Sequence, residues 1–180
     1  RRSSLVHVLM RLVRRTFIHW ILPAGALAVL IAAGKPGALR TQETEPLAIV
    51  VNRSNPMTEI SLTDLRKLYR GQRSRWSNGR RVTLVMRDPG TPEREAILQT
   101  LYGVDEDEYR RGFLQAVFTG EAIGAPRVLA SPNGVLRFVF NVPGAIGYVR
   151  ASEVDATVKT LRVDGRLPGE AGYRLEVPEQ

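Results

Sequence analysis

Arg87, Gly90 and Thr91 lie close together in the run Arg87-Asp88-Pro89-Gly90-Thr91-Pro92-Glu93. Their types suit one chemistry, the binding of a small oxyanion. A guanidinium engages tetrahedral oxyanions with paired donors. A Pro-Gly bend opens a helix, whose first turn offers unpaired N–H groups and a partial positive charge. Thr91 adds a hydroxyl, although the same residue suits an ordinary N-cap with Pro92 at the first helical position. Two neighbours work against capture. Pro92 removes a backbone donor, and Glu93 puts an anion where the ligand would sit. A second donor set is Ser131 with Asn133 at another helix start. A third is Asn52, Ser54 and Asn55 after a first strand, since ligands of open α/β sheets favour the carboxyl ends of strands. Capping accounts for the second set and turn formation for the third equally well.

Catalytic chemistry has little to work with. The chain has no Cys, so disulfides, thiolate metal sites and Cys nucleophiles are excluded. Its two histidines, His7 and His19, both precede the folded part, which leaves no imidazole for zinc or a triad. Asp105, Glu106, Asp107 and Glu108 are consecutive, so they point in different directions around a helix. They suit its N-terminal dipole better than paired acid–base work. No phosphate-cradling Gly-rich loop or dinucleotide fingerprint is present. The expectation is a protein that is not an enzyme and carries no cofactor or metal.

The formal charge is +8, of which +5 precedes Pro46. The remainder carries only +3, so the high overall basicity is no argument for nucleic acid. Between Asp64 and Asp88 the only charged residues are cations, Arg66, Lys67, Arg70, Arg73, Arg75, Arg80, Arg81 and Arg87. Such a run steers anions, touches anionic lipid headgroups, or is a solvated face. Trp76 within it reads as a packing anchor.

The elements that must hold these residues follow from hydrophobic pattern and punctuation. Leu47–Asn52 is a short apolar run and predicts a buried strand. Ser61 caps a helix bearing Leu62, Leu65, Leu68 and Tyr69 on one face, which stops at Gly71. Arg81–Met86 is a strand. Thr91 starts a helix with the stripe Ile97, Leu98 and Leu101, closed by Gly103. Asp105–Phe118 is a helix with Tyr109, Phe113, Ala116 and Val117 inward. Arg127–Ala130 is a strand, and Ser131 starts a helix carrying Val135, Leu136, Val139 and Phe140. Ala145–Val149 and Val158–Val163 are the last strands. Strands alternating with helices predict an α/β sandwich with a mixed, largely parallel sheet.

Before this domain, residues 17–33 hold no Asp, Glu, Lys or Arg and follow Arg14-Arg15. That is the pattern of a signal peptide, with small residues at Ala32-Ala33-Gly34 for cleavage. Its length also borders on a spanning anchor. Residues 1–34 are therefore read as a signal peptide or membrane anchor, 35–46 as a linker and 47–180 as the domain. Either form of the N-terminus implies export, with the domain periplasmic or at the outer face of the cytoplasmic membrane.

Three stretches together resemble a known family. They are Val51-Asn52 with Leu62-Thr63-Asp64-Leu65, Tyr69-Arg70-Gly71 and Trp76; the strand leading to Arg87, Gly90 and Thr91; and Gly134-Val135 followed by Pro143-Gly144-Ala145-Ile146-Gly147-Tyr148-Val149. Their order and spacing over Leu47–Val154 are similar to the substrate-binding component of bacterial phosphate ABC transporters. The resemblance implies a periplasmic-binding-protein-like (type II) three-layer fold. It also implies phosphate or a similar oxyanion as ligand, and an ABC permease or other envelope protein as partner. It puts Arg87, Gly90 and Thr91 at the anion site, with Asn52, Ser54 and Ser131 as further donors. Family members bind between two lobes, whereas this chain has residues for one. At the family's Ser-Gly-Thr turn it has Thr91-Pro92-Glu93. A ligand-free structural or interaction module with the same fold is the alternative.

Overall fold

A computed structural model describes residues 44–120 and 125–178. The stretch read as signal peptide or anchor lies outside the described residues. Strand β1 (Thr44–Asn52) begins three residues inside the stretch read as linker, because Thr44–Pro46 pair with a C-terminal strand, β8 (Glu176–Pro178).

β1 is the spine of the domain. The side chains of Leu47, Ile49 and Val51 enter one core, and those of Ala48 and Val50 enter another on the opposite face. This is the period-2 alternation of a strand covered on both sides. Around it the order is β4 (Arg127–Leu129), β3 (Thr83–Arg87), β5 (Ala145–Arg150), β1, β6 (Val158–Thr160), with β8 also on β1. The β3–β4 and β3–β5 pairs are parallel, and β1 is antiparallel to β5, β6 and β8. The sheet is thus mixed and largely parallel in direction, with β1 alone running against the rest. A small parallel pair, β2 (Glu59–Ile60) with β7 (Arg162–Val163), lies apart from it.

Helices cover both faces. On one side are α1 (Leu62–Tyr69) and α2 (Pro92–Ile97), the latter continuing as a π-helical turn over Leu98–Tyr102. On the other is α4 (Pro132–Asn141), whose Val135, Leu136 and Val139 pack on Ala48, Val50 and Val85. This is the expected three-layer α/β arrangement. Gly147 of β5 is required by that packing, because a Cβ there would lie 2.9 Å from Val135 Cγ1.

Local chemistry sets the element ends. Ser61 Oγ accepts the Asp64 N–H at 3.0 Å and caps α1. Asp105 and Glu108 form a reciprocal capping box at the start of α3 (Glu106–Phe118). Gly103, at φ 74°, closes the π-helical turn by returning its N–H to Leu98 O at 2.8 Å. Trp76 is buried and its Nε1 donates to Gly144 O at 2.9 Å, as suits a packing anchor. Part of the basic run has the same structural use. Arg66 donates to Thr100 O, and Arg70 to Leu101 O and Tyr102 O, so both satisfy the carbonyl end of the helix begun by α2.

The structure corrects several expectations. The strand expected at Arg81–Met86 runs from Thr83 to Arg87. The stretch Val158–Val163 is two strands, because Leu161 N–H still bonds to Ile49 O whereas Arg162 N–H turns to Thr58 O. Phe140 is 53% exposed, because it lies in α4 off the face of Val135, Leu136 and Val139 that packs on the sheet. No residue of α3 is fully buried, and Val117 is exposed. This helix bridges a cavity beside the start of β3 instead of lying flat on a strand.

Candidate anion-binding site

The run Asp88-Pro89-Gly90-Thr91 is a tight turn that ends β3 and starts α2. Thr91 N–H reaches back to Asp88 O, and Gly90 takes φ 80°, a left-handed value that glycine adopts without strain. The Thr91 hydroxyl donates to the same Asp88 carbonyl at 2.9 Å and makes no side-chain cap bond. Its proton is therefore committed inside the turn. Gly90 and Thr91 shape the bend, and neither offers a side-chain donor to a ligand there.

Arg87 is 7% exposed. Its backbone N–H donates to the Tyr148 hydroxyl at 3.0 Å, which fixes the end of β3 against β5. Its Nη2 donates to Ala130 O at 3.1 Å, so the guanidinium reaches the β4–α4 connection. Nε and Nη1 are buried and have no hydrogen-bond partner. Two unpaired nitrogens on a buried cation are costly, and a bound anion is one way to satisfy them. The next residue after Ala130 is Ser131. Its Oγ accepts the Gly134 N–H at 3.1 Å and caps α4, which leaves its own proton to donate. The structure thus brings Arg87 and Ser131 to one place, at the carboxyl ends of parallel strands β3 and β4.

Asn52 and Ser54 are elsewhere. Asn52 Nδ2 donates to Val139 O and Phe140 O, at the far end of α4 from Ser131. Its Oδ1 accepts the N–H and hydroxyl of Ser54. The expectation that they join the anion site is corrected. β1 runs opposite to β3 and β4, so its carboxyl end lies at the other end of the sheet, where these groups tie β1 to α4.

Glu93 decides the electrostatics. It is buried in the first turn of α2, and its Oε1 accepts from Arg150 Nε at 2.6 Å. Arg150 Nη1 donates in turn to Glu45 at 2.8 Å, and Ser152 Oγ donates to the other Glu45 oxygen. Burial pushes the Glu93 carboxyl up. The hydrogen bond from Arg150, a bond from the Glu93 backbone N–H and the charges of Arg150 and Arg87 outweigh that, and hold it below its ordinary value. Ser152 and Arg150 hold Glu45 down likewise. Glu93 makes no direct ion pair with Arg87; its hydrogen-bonded cation is Arg150. Arg94 is also buried, bonds Glu106 through two nitrogens at 2.6 and 2.8 Å, and donates to Arg87 O at 3.0 Å.

Arg94, Glu106, Arg150, Glu45 and Tyr148 thus support Arg87; sequence reasoning placed Glu106 only at a helix dipole and gave the other four no role at the site. Tyr148 lies in the Gly147-Tyr148-Val149 run that carried the resemblance. The Arg150–Glu45 and Arg150–Glu93 partners are 105 and 57 residues apart, and no local spacing signals them. Among the described residues no cluster of His, Cys, Asp or Glu could hold a metal.

No protein-family profile and no curated protein matches the chain. Solved structures do. An ABC-type phosphate transport receptor from Vibrio cholerae superposes with a TM-score of 0.63 at 21% identity, over 76% of this chain and 55% of that one. A candidate phosphate ABC transporter substrate-binding protein from Clostridium perfringens, solved with bound phosphate, gives 0.61 at 20%, over 75% and 54%. PstS from Borrelia burgdorferi gives 0.58 at 15%, over 75% and 55%. The chain therefore has the α/β fold of the matching part of these proteins, and it spans just over half of their length.

Proposed function

We propose that this chain is a solute-binding protein of the cell envelope that takes phosphate or a similar tetrahedral oxyanion at Arg87 and Ser131, without catalysing a reaction. The observation that carries the reading is Arg87, buried at the carboxyl ends of β3 and β4 with Nε and Nη1 unpaired. Nε–H and Nη1–H point to different edges of the guanidinium, so an oxyanion accepts from one of them, and the second N–H of Nη2 completes a fork. Arg150 supports the reading by holding Glu93, so that the carboxylate does not discharge Arg87. The likeness to phosphate-transport receptors, one of them solved with phosphate, supports this ligand class. Export through residues 1–34 and delivery to an ABC permease complete the proposal.

The test is thermal unfolding of the full chain with phosphate, sulfate and chloride at matched ionic strength. At about ten times its Kd, phosphate stabilises by about 1.4 kcal/mol, an upward shift of about 3–6 °C. Arg87→Ala abolishes that shift. Equal melting temperatures at millimolar phosphate and chloride would remove the oxyanion reading. They would leave the second one, an interaction module of the envelope. Its specific support is the buried Glu93 carboxylate at the start of α2, a permanent negative charge within the field of Arg87.

A further inference from the structure

A cavity of about 560 Å³ opens at the amino end of β3, the opposite end from Arg87. Leu68, Leu84, Tyr102, Tyr109 and Phe113 line it, and α3 forms its outer wall. Its size is that of a small-molecule site, and its walls are apolar and aromatic. Tyr109 and Phe113 lie nearly parallel, with ring centroids 6.3 Å apart, and present a continuous shelf. A space so lined offers water few partners.

Gly112 marks the outer wall. It lies inside the 13-residue helix α3, where glycine is among the poorest formers. Its φ is not in the left-handed range, and a Cβ built on it would meet nothing within 4 Å. Among the described residues, neither backbone conformation nor packing accounts for a missing side chain there, whereas a body lying in the cavity would.

The charged residues of the lining are Arg70, Arg73, Arg81 and Glu108. Arg70 is held in place through Leu101 O and Tyr102 O, and Arg73 through Arg75 O. The rim is therefore net cationic and in part preorganised, above an apolar floor. We propose that this cavity is a second ligand site, independent of Arg87. Its ligand is a small free amphiphile with an apolar body and a single anionic head, such as a medium-chain carboxylate. The body lies along Tyr109 and Phe113 past Gly112, and the head meets Arg73 and Arg81.

The test is isothermal titration of the full chain with decanoate and with decyltrimethylammonium, alongside flotation with phosphatidylglycerol vesicles. Saturable binding of one decanoate per chain is expected, with no saturable binding of the cation. Gly112→Leu fills the wall and lowers decanoate affinity by at least about tenfold without lowering the melting temperature. The double charge reversal Arg73→Glu/Arg81→Glu lowers it to a similar extent. Should that double variant fail to fold, Gly112→Leu decides alone. Absence of saturable decanoate binding, equal binding of the cation, undiminished binding by Gly112→Leu, or binding to vesicles alone would each overturn the proposal.

Discussion

Arg150→Met removes the cation shared by Glu93 and Glu45 while keeping an apolar stem of similar reach. Glu93 has a side chain only 8% exposed and loses its bond of 2.6 Å. Breaking a buried pair by removing one partner costs about 3–5 kcal/mol. The Glu45 arm, with side-chain exposures of 21% and 27%, adds no more than about 1 kcal/mol. Part of this is recovered, because Glu93 retains its own N–H and the field of Arg87. The carboxylate then turns toward the unpaired Nε and Nη1 of Arg87. The expected net loss is about 2–4 kcal/mol. The stabilisation by phosphate should disappear as well, because Glu93 now fills the place of the ligand. Urea unfolding followed by circular dichroism, with and without phosphate, reads both effects. In the double variant Arg150→Met/Glu93→Gln the buried charge is gone. Its cost should fall short of the sum of the single variants by about 2 kcal/mol, and the phosphate response should return. If Arg150→Met stays within about 0.5 kcal/mol of wild type and still responds to phosphate, Arg150 is not what restrains Glu93, and the freedom of Arg87 has another cause.

Acid should weaken the fold through the same carboxylates. Glu93 and Glu45 are held below the ordinary glutamate value of 4.5, so their contribution is complete above that pH and is lost as pH falls through the lower folded values. Stability measured below pH 4.5 should therefore decline less in Glu93→Gln than in wild type. Asn52→Ala leaves the carbonyls of Val139 and Phe140 and the Ser54 turn without their partner. It should cost about 2–3 kcal/mol in urea unfolding and leave the phosphate-induced shift in melting temperature intact. Loss of that shift would place Asn52 at the ligand after all.

The sequence alone determined what is written locally. Ser61, Asp105 and Ser131 announce helix starts because a capping oxygen acts within three residues, and Gly71 and Gly103 announce the stops. The stripe Ile97, Leu98 and Leu101 gives the face of its helix, because side-chain direction is fixed by backbone period, whereas the all-apolar run Leu47–Val51 marks a buried strand and leaves open which side chain enters which core. Arg87 and Ser131 could be singled out because their types match oxyanion chemistry. Tertiary structure decided which of the candidates meet. The reversed direction of β1 sends Asn52 and Ser54 to the far end of the sheet, a fact set by strand pairing and absent from any window of sequence. The Thr91 hydroxyl was claimed by Asp88 O, and the Arg87 side chain by Ala130 O. Glu93 reads in sequence as an obstacle to any anion. In the folded chain its charge is held by Arg150, a partner 57 residues away, and only the closing of β5 beside β1 and α2 brings them together.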